Sequence, residues 1–389
     1  MRKRAIAATM LLTAAMAFTS CAKLYEEETT ETLKLPQTDI EIPEDNPWDE
    51  VPDSDTEAGH YRADAMRTDV IFNTDAASGL GRLPDNFIDC IVASPPYWQL
   101  RDYGLSPILL GGRQKCEHDF DDYAICRSCG GWLGQLGQEP SREMFLEHLM
   151  GIFDECRRVL KSTGTLWVNL GDSYSKLNKY NRTDDWPPGK NAHCLKTLRV
   201  DLSMHRVPHK SLCNIPGLFA EMMILRGWIL RNEIIWYKPS VVPTPVEDRF
   251  TADFEKVFFF TKSPKYDFRQ QFEPYAGNET NRISRQPEHP TGSKSRNDLQ
   301  GRNKRTVWRI TTEISHEKHY APYPQKLIET PIEAGCPPGG VVLDPFLGSG
   351  TTALVARRLG RHYIGIEPNP EYVAIVRSRL EREPEPSKQ

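Results

Sequence analysis

The chain has 389 residues, of which 39% are hydrophobic and 26% charged, ordinary proportions for a soluble globular protein with a full core. Nine cysteines at irregular spacing exclude a disulfide scaffold, and three of them cluster with a histidine, a pattern that favours a reducing compartment and a metal site. The formal net charge of −4 argues against a uniformly basic nucleic-acid binder, but residues 22–57 carry −11 and residues 1–21 carry +3, which leaves +4 on residues 58–389. Two segments of that remainder are basic and poor in apolar residues: 176–214, with eight Lys/Arg against three acids, and 262–310, with eleven against five. Both suit phosphate contacts, and both are also compatible with solvated loops.

In chain order, residues 1–21 have a basic start, an apolar run from Ala5 to Phe18 and a terminal Cys21. This reads as a secretory signal whose end resembles a bacterial lipoprotein cleavage site, and the apolar run is too short for a comfortable membrane span. Residues 22–65 are acidic and proline-bearing and read as a disordered extension. From there, short apolar runs alternate with helical patterns. Strands are expected at Val70–Phe72, Ile88–Ala93, Thr165–Leu170, Trp228–Trp236, Val257–Thr261, Val341–Leu343 and Tyr363–Ile366, and helices over 141–160, 216–226, 351–360 and 370–382. Strands alternating with helices predict a doubly wound, mostly parallel α/β sheet.

Near the C-terminal end, Asp344-Pro-Phe346-Leu-Gly348-Ser-Gly350-Thr351-Thr follows a strand and opens a helix. Glycines there let backbone approach a ligand closely, and the helix start supplies free amide donors. A second strand ends in Gly365-Ile366-Glu367 about twenty residues on, where an acid can accept hydrogen bonds from both ribose hydroxyls of a nucleoside. No lysine follows the glycines, so a phosphate-binding loop for nucleotides is disfavoured. Upstream, Ile88–Ala93 ends in Ser94-Pro95-Pro96-Tyr97. Taken alone that is a proline-rich turn closing a buried strand. It is also a stiff loop that offers the Ser94 hydroxyl and the Pro95 carbonyl as acceptors beside an aromatic ring.

Together these residues resemble the beta group of amino-directed DNA methyltransferases, over roughly residues 66–382. Asp344–Thr352 is similar to their cofactor motif and Ser94–Tyr97 to their catalytic motif. His319-Tyr-Ala-Pro-Tyr-Pro324 with Leu327 is similar to the segment that cups the methionine end of the cofactor. The resemblance implies a Rossmann-like methyltransferase fold, S-adenosylmethionine as cofactor, double-stranded DNA as substrate, and a cognate restriction endonuclease as a potential partner. It assigns Ser94, Pro95, Pro96 and Tyr97 to catalysis, and His319, Asp344, Phe346, Gly348, Gly350, Thr351 and Glu367 to the cofactor. Serine at the first tetrapeptide position favours cytosine N4 as the methylated atom, with adenine N6 the alternative. Asp75 reads equally as a cofactor neighbour or a helix cap and is not assigned.

Cys116-Glu-His118, seven residues and Cys126-Arg-Ser-Cys129 offer four ligands within fourteen residues. Cys₃His is a closed structural zinc set, so a zinc knuckle is expected over 113–132, similar to knuckles inserted in phage-type relatives. Relatives carry their target-recognition region between the Phe-rich strand and the His319 segment, here about 262–310, where Arg282, Arg285, Arg296, Arg302 and Arg305 could meet guanine edges or phosphates. Methylation of DNA implies the cytoplasm, in conflict with residues 1–21. A working start at Met66 resolves the conflict, and residues 383–389 are then a short tail. Two rivals remain: a methyltransferase of RNA or protein amides, whose tetrapeptide ordinarily begins with Asn, and a secreted lipoprotein with an inactive methylase-like domain, which rests on residues 1–21 alone.

Overall fold

The computed structural model describes residues 66–113, 115–175, 207–241, 244–274, 301–312 and 323–383. The signal-like segment, the acidic extension, His319, most of the basic 176–214 and 262–310 segments and nearly all of the tail lie outside the described residues.

The elements run in the order β1 (Val70–Phe72), α1 (Ala76–Gly81), β2 (Ile88–Ala93), β3 (Ile108–Leu110), β4 (Trp132–Gly134), α2 (Arg142–Val159), β5 (Leu160–Leu170), α3 (Ile215–Leu225), β6 (Ile229–Tyr237) and β7 (Phe254–Thr261). There follow β8 (Phe272–Glu273), β9 (Arg302–Asn303), β10 (Val307–Arg309), α4 (Gln325–Gly335), β11 (Val341–Asp344), α5 (Thr351–Arg358), β12 (His362–Ile366) and α6 (Pro370–Arg382). Eight strands form one sheet in the order β1-β12-β11-β2-β5-β7-β6-β10. All adjacent pairs are parallel except the two that involve β7, which runs antiparallel between β5 and β6. The fold is a doubly wound, Rossmann-like α/β sheet.

Burial explains the run-like strand patterns. Every residue of β2 is buried, as a central parallel strand covered on both faces must be. On β7, Phe258 and Phe260 enter one core with α2 and α3, while Val257 and Phe259 enter the other with α4 and α5. That alternation is the strand period of two. Helix α2 starts where expected because the Ser141 side chain accepts a hydrogen bond from the Met144 amide, 3.2 Å away.

The crossover from β2 through α2 to β5 lies on one face of the sheet, and that from β11 through α5 to β12 on the other. The winding therefore reverses between β2 and β11. Such a switch point leaves a crevice at the carboxyl ends of the strands, where ligands of open α/β sheets bind. Among the described residues no helix is long and apolar enough to cross a membrane.

Candidate active site

The three sequence motifs lie at the carboxyl ends of three adjacent strands: Ser94–Tyr97 after β2, Asp344–Gly350 after β11 and Glu367 after β12. A cavity of about 920 Å³ opens there, with Ser94, Pro95, Pro96 and Tyr97 on one side and Phe346, Gly348, Thr351 and Glu367 on the other. Asp75 does both things its sequence position allows. It caps α1, accepting from the Ser78 amide at 2.9 Å, and it lines the cavity.

Glu367 is buried, and both its carboxylate oxygens are engaged: Oε2 accepts from the Gly348 amide at 2.9 Å and Oε1 from the Asn369 amide at 2.9 Å. Burial pushes its carboxyl up to about 7, against the pull of those two amides. Each carboxylate oxygen keeps a second lone pair for a hydroxyl donor from the cavity.

Asp344 and Gly350 are not on the cavity wall. Asp344 is fully buried beneath it, accepting from the Phe346 amide at 2.9 Å, from the Tyr323 hydroxyl at 2.9 Å and from the Thr352 hydroxyl. Burial raises its carboxyl to about 6. Its work is to shape the glycine loop. Gly350 caps α5 at φ 82°, and a Cβ there would sit 2.5 Å from Val376, so neither the dihedral nor the space admits a side chain. Tyr323, inside the segment named for His319, fills the gap between Asp344 and the cavity; Leu327 is core.

The Tyr97 hydroxyl donates to Glu255 Oε2 at 2.6 Å and lies 3.3 Å from Asn169 Oδ1. Burial first, and the Glu255 charge second, raise its phenol well above the usual tyrosine range, while the Ser94 hydroxyl pulls it the other way. Glu255 also accepts from Asn169 Nδ2 at 3.1 Å and from Lys238 Nζ, whose ammonium lies 4.3 Å from the centroid of the Trp236 ring. All of these side chains line the cavity. Sequence reasoning missed Glu255, Asn169 and Lys238. Their only signal was polarity at or just beyond strand ends, and which ends meet the crevice is set by strand order.

The sequence pattern of the DNA methylase family of N6/N4 type matches residues 88–378. The chain belongs to that family. It is 38% identical over 315 residues to the type II methyltransferase M.Cfr9I of Citrobacter freundii, covering 81% of this chain and 88% of that one. It is 34% identical over 319 residues to the type II methyltransferase M.SmaI of Serratia marcescens, covering 82% and 92%. Among solved structures it is similar in fold to the PvuII cytosine-N4-specific DNA methyltransferase, with a TM-score of 0.50, 19% identity and coverage of 84% and 89%.

In this methylase the ligand atoms of Cys116, His118, Cys126 and Cys129 all lie within 4.8 Å of one another. Tetrahedral zinc with Zn–S of about 2.3 Å and Zn–N of about 2.0 Å has S···S edges near 3.8 Å and S···N edges near 3.5 Å. Cys116 Sγ and Cys126 Sγ are 3.8 Å apart, and Cys129 Sγ is 3.5 Å from His118 Nδ1. The residues fit that ion.

Of the basic 262–310 segment, the described ends are tied together. The β8–β9 pair joins Phe272–Glu273 to Arg302–Asn303, and Glu273 Oε1 holds Arg302 Nε at 2.7 Å and Arg305 Nε at 2.6 Å. Arg302 is thereby committed to closing the base of the segment, with its side chain only 20% exposed; Arg305, at 67%, keeps most of its guanidinium in solvent. Arg282, Arg285 and Arg296 lie outside the described residues.

Proposed function

We propose that this methylase transfers a methyl group from S-adenosylmethionine to cytosine N4 of a base swung out of double-stranded DNA, at a specific sequence. The observation that carries the reading is one cavity bordered by both the Ser94 loop and Glu367. The type II relatives support site-specific action, and with it a cytoplasmic setting and a cognate restriction endonuclease. The catalytic unit spans about 66–382, with the knuckle at 113–132 and recognition of DNA centred on 262–310.

Glu367, between two backbone amides, accepts the ribose hydroxyls, and Phe346 gives the adenine an apolar wall. Bound S-adenosylmethionine supplies an electrophilic methyl on a sulfonium. The protein prepares the nucleophile. An exocyclic amine is poor because its lone pair is delocalised into the ring. Ser94 Oγ and the Pro95 carbonyl accept the amino hydrogens and draw the nitrogen toward tetrahedral geometry. Tyr97, with its hydroxyl held by Glu255, presents its ring for the extruded base to stack on. Alignment of the two reactants supplies most of the rate, with no covalent bond to the enzyme. Serine rather than aspartate at position 94 favours cytosine N4 over adenine N6.

The knuckle residues hold a structural zinc that folds the insertion and does no chemistry, since all four positions are filled by protein. Metal analysis is expected to find one zinc per chain, lost in Cys126→Ser; unchanged zinc in that variant would refute the assignment.

Incubation with methyl-labelled cofactor and duplex DNA, followed by nucleoside analysis, tests the function. N4-methylcytosine is the expected product. N6-methyladenine would overturn the choice of base, and no transfer to DNA would overturn the function.

A further inference from the structure

Between the knuckle and the catalytic tetrapeptide lies a buried acid that the chemistry above does not use. Glu139 is completely shielded from solvent, an unusual place for a carboxylate unless it is fully partnered. It is. Oε1 lies 3.0 Å from His148 Nδ1 on α2, Oε2 accepts from the Gly137 amide at 2.8 Å, and the Glu139 carbonyl accepts from Trp98 Nε1 at 2.9 Å.

Each partner leads to one of the two sites. Trp98 follows Tyr97 directly, and the Gln99 amide donates to the Gly137 carbonyl at 2.7 Å. Gly137 itself lies so close to the tetrapeptide that a Cβ on it would stand 3.0 Å from Pro96 Cβ. On the other side, the His148 ring stacks on Trp132, with centroids 6.1 Å apart and planes at 17°. Trp132 begins β4 three residues after Cys129. It forms a bridge with Ile125, and its Nε1 donates to the Tyr123 carbonyl at 3.1 Å. The Cys126 amide donates to the Gly131 carbonyl at 2.7 Å. A continuous set of packed and hydrogen-bonded groups thus runs from the four ligands through Trp132, His148 and Glu139 to Trp98 and the Ser94–Tyr97 loop.

We infer that Glu139 and His148 are positioning residues through which the folded knuckle sets the geometry of the Ser-Pro-Pro-Tyr loop. The pair touches neither substrate nor cofactor. It fixes the segment 135–140 against the back of the loop and ties that segment to α2, a helix packed on the sheet. Losing this support lets the two amino-hydrogen acceptors drift, and displacements of about 1 Å at reacting groups cost on the order of 100-fold in rate. The inference rests on the Ser94 loop being the catalytic one and on the knuckle binding metal.

Two measurements test it on the full-length protein. In the first, amide exchange of residues 94–100 is followed with and without chelator in wild type, and with zinc retained in Glu139→Gln. Faster exchange is expected in both the stripped wild type and the zinc-loaded variant. Exchange indifferent to metal removal would overturn the coupling. In the second, kcat and KM are measured for Glu139→Gln, Cys126→Ser and the double variant. A fall of roughly 10- to 100-fold in kcat is expected for each single variant, with KM for the cofactor within threefold and no further fall in the double, because one pathway can be broken only once. Multiplicative losses, or an unchanged kcat in folded Glu139→Gln, would refute the inference. Should Glu139→Gln fail to fold, Trp98→Phe keeps an aromatic ring but removes the indole N–H together with the five-membered ring; it is expected to show the same kcat-only loss, and a normal kcat in the folded variant would count against the proposal. A wild type without DNA methylation would instead defeat the functional reading, and a zinc-free wild type the metal assignment.

Discussion

Replacing Glu367 by glutamine separates the cofactor role proposed for the carboxylate from what its burial costs the fold. In the wild type two backbone amides, Gly348 and Asn369, point at its two oxygens. The carboxamide can satisfy one of them and turns an NH₂ toward the other. It also removes a strong acceptor from the cavity. Hydrogen bonds to a charged group contribute about 1.5–3 kcal/mol each. Weakening the two ribose contacts should therefore cost about 2–4 kcal/mol, a rise of roughly 30- to 1,000-fold in Kd. Titration calorimetry with S-adenosylhomocysteine reads this directly. Stability moves the other way. Burial lifts the folded-state carboxyl from its ordinary 4.5 to about 7, so the native state binds more protons than the unfolded chain across that interval. Stability contributed by this group is then highest below pH 4.5 and falls as pH rises toward 7, by about 3 kcal/mol in total. The glutamine variant lacks that slope. Thermal melts without ligand should show wild type losing ground to Glu367→Gln between pH 5 and pH 8. A variant that binds S-adenosylhomocysteine as tightly as wild type would refute the assignment of Glu367. Parallel pH profiles would refute the buried-charge argument.

Three further substitutions probe the rest of the cavity. Ser94→Ala should lower kcat by about 100- to 1,000-fold, the usual cost of removing one preorganised hydrogen-bonding group, while leaving S-adenosylhomocysteine affinity unchanged in the same calorimetric assay. Glu255→Gln frees the Tyr97 hydroxyl from its charged partner and leaves Lys238 unpaired; kcat/KM for DNA should fall by roughly 10-fold or more, with cofactor Kd within a factor of three. Gly350→Ala forces a side chain into the left-handed region and against Val376, and should destabilise the protein by about 1–3 kcal/mol, read as a lowered Tm.

The central parallel strands were legible because they are buried on both faces and read as unbroken apolar runs; Ile88–Ala93 matches β2 residue for residue. Helix α2 was equally plain from Ser141 and its apolar spacing. Strand β5 starts at Leu160 rather than Thr165, directly after the helix, because Leu160 pairs with Ile88 across an irregularity, and pairing of that kind leaves no mark in one segment's composition. Helix α1 has only six residues, too short for a period to declare itself. Helix α4 carries Pro331 in its interior and was read only as part of the cofactor segment. Strands β3, β4 and β8 to β10 are two or three residues long and exist by virtue of their partners. The tetrapeptide, the glycine loop and Glu367 were singled out as candidates from local sequence and a family resemblance. Glu255, Asn169, Lys238 and Glu139 were not, since each is a single polar residue whose meaning comes from strand order. Asp344 stood in a motif that suggested contact with ligand, whereas its full burial makes it the support under the loop.

The most direct test of the account is a crystal structure of the methylase with S-adenosylhomocysteine. The ribose hydroxyls should rest on Glu367, with the sulfur directed across the cavity toward Ser94 and Pro95. A ligand seated elsewhere, or one whose sulfur faces away from the loop after β2, would contradict it.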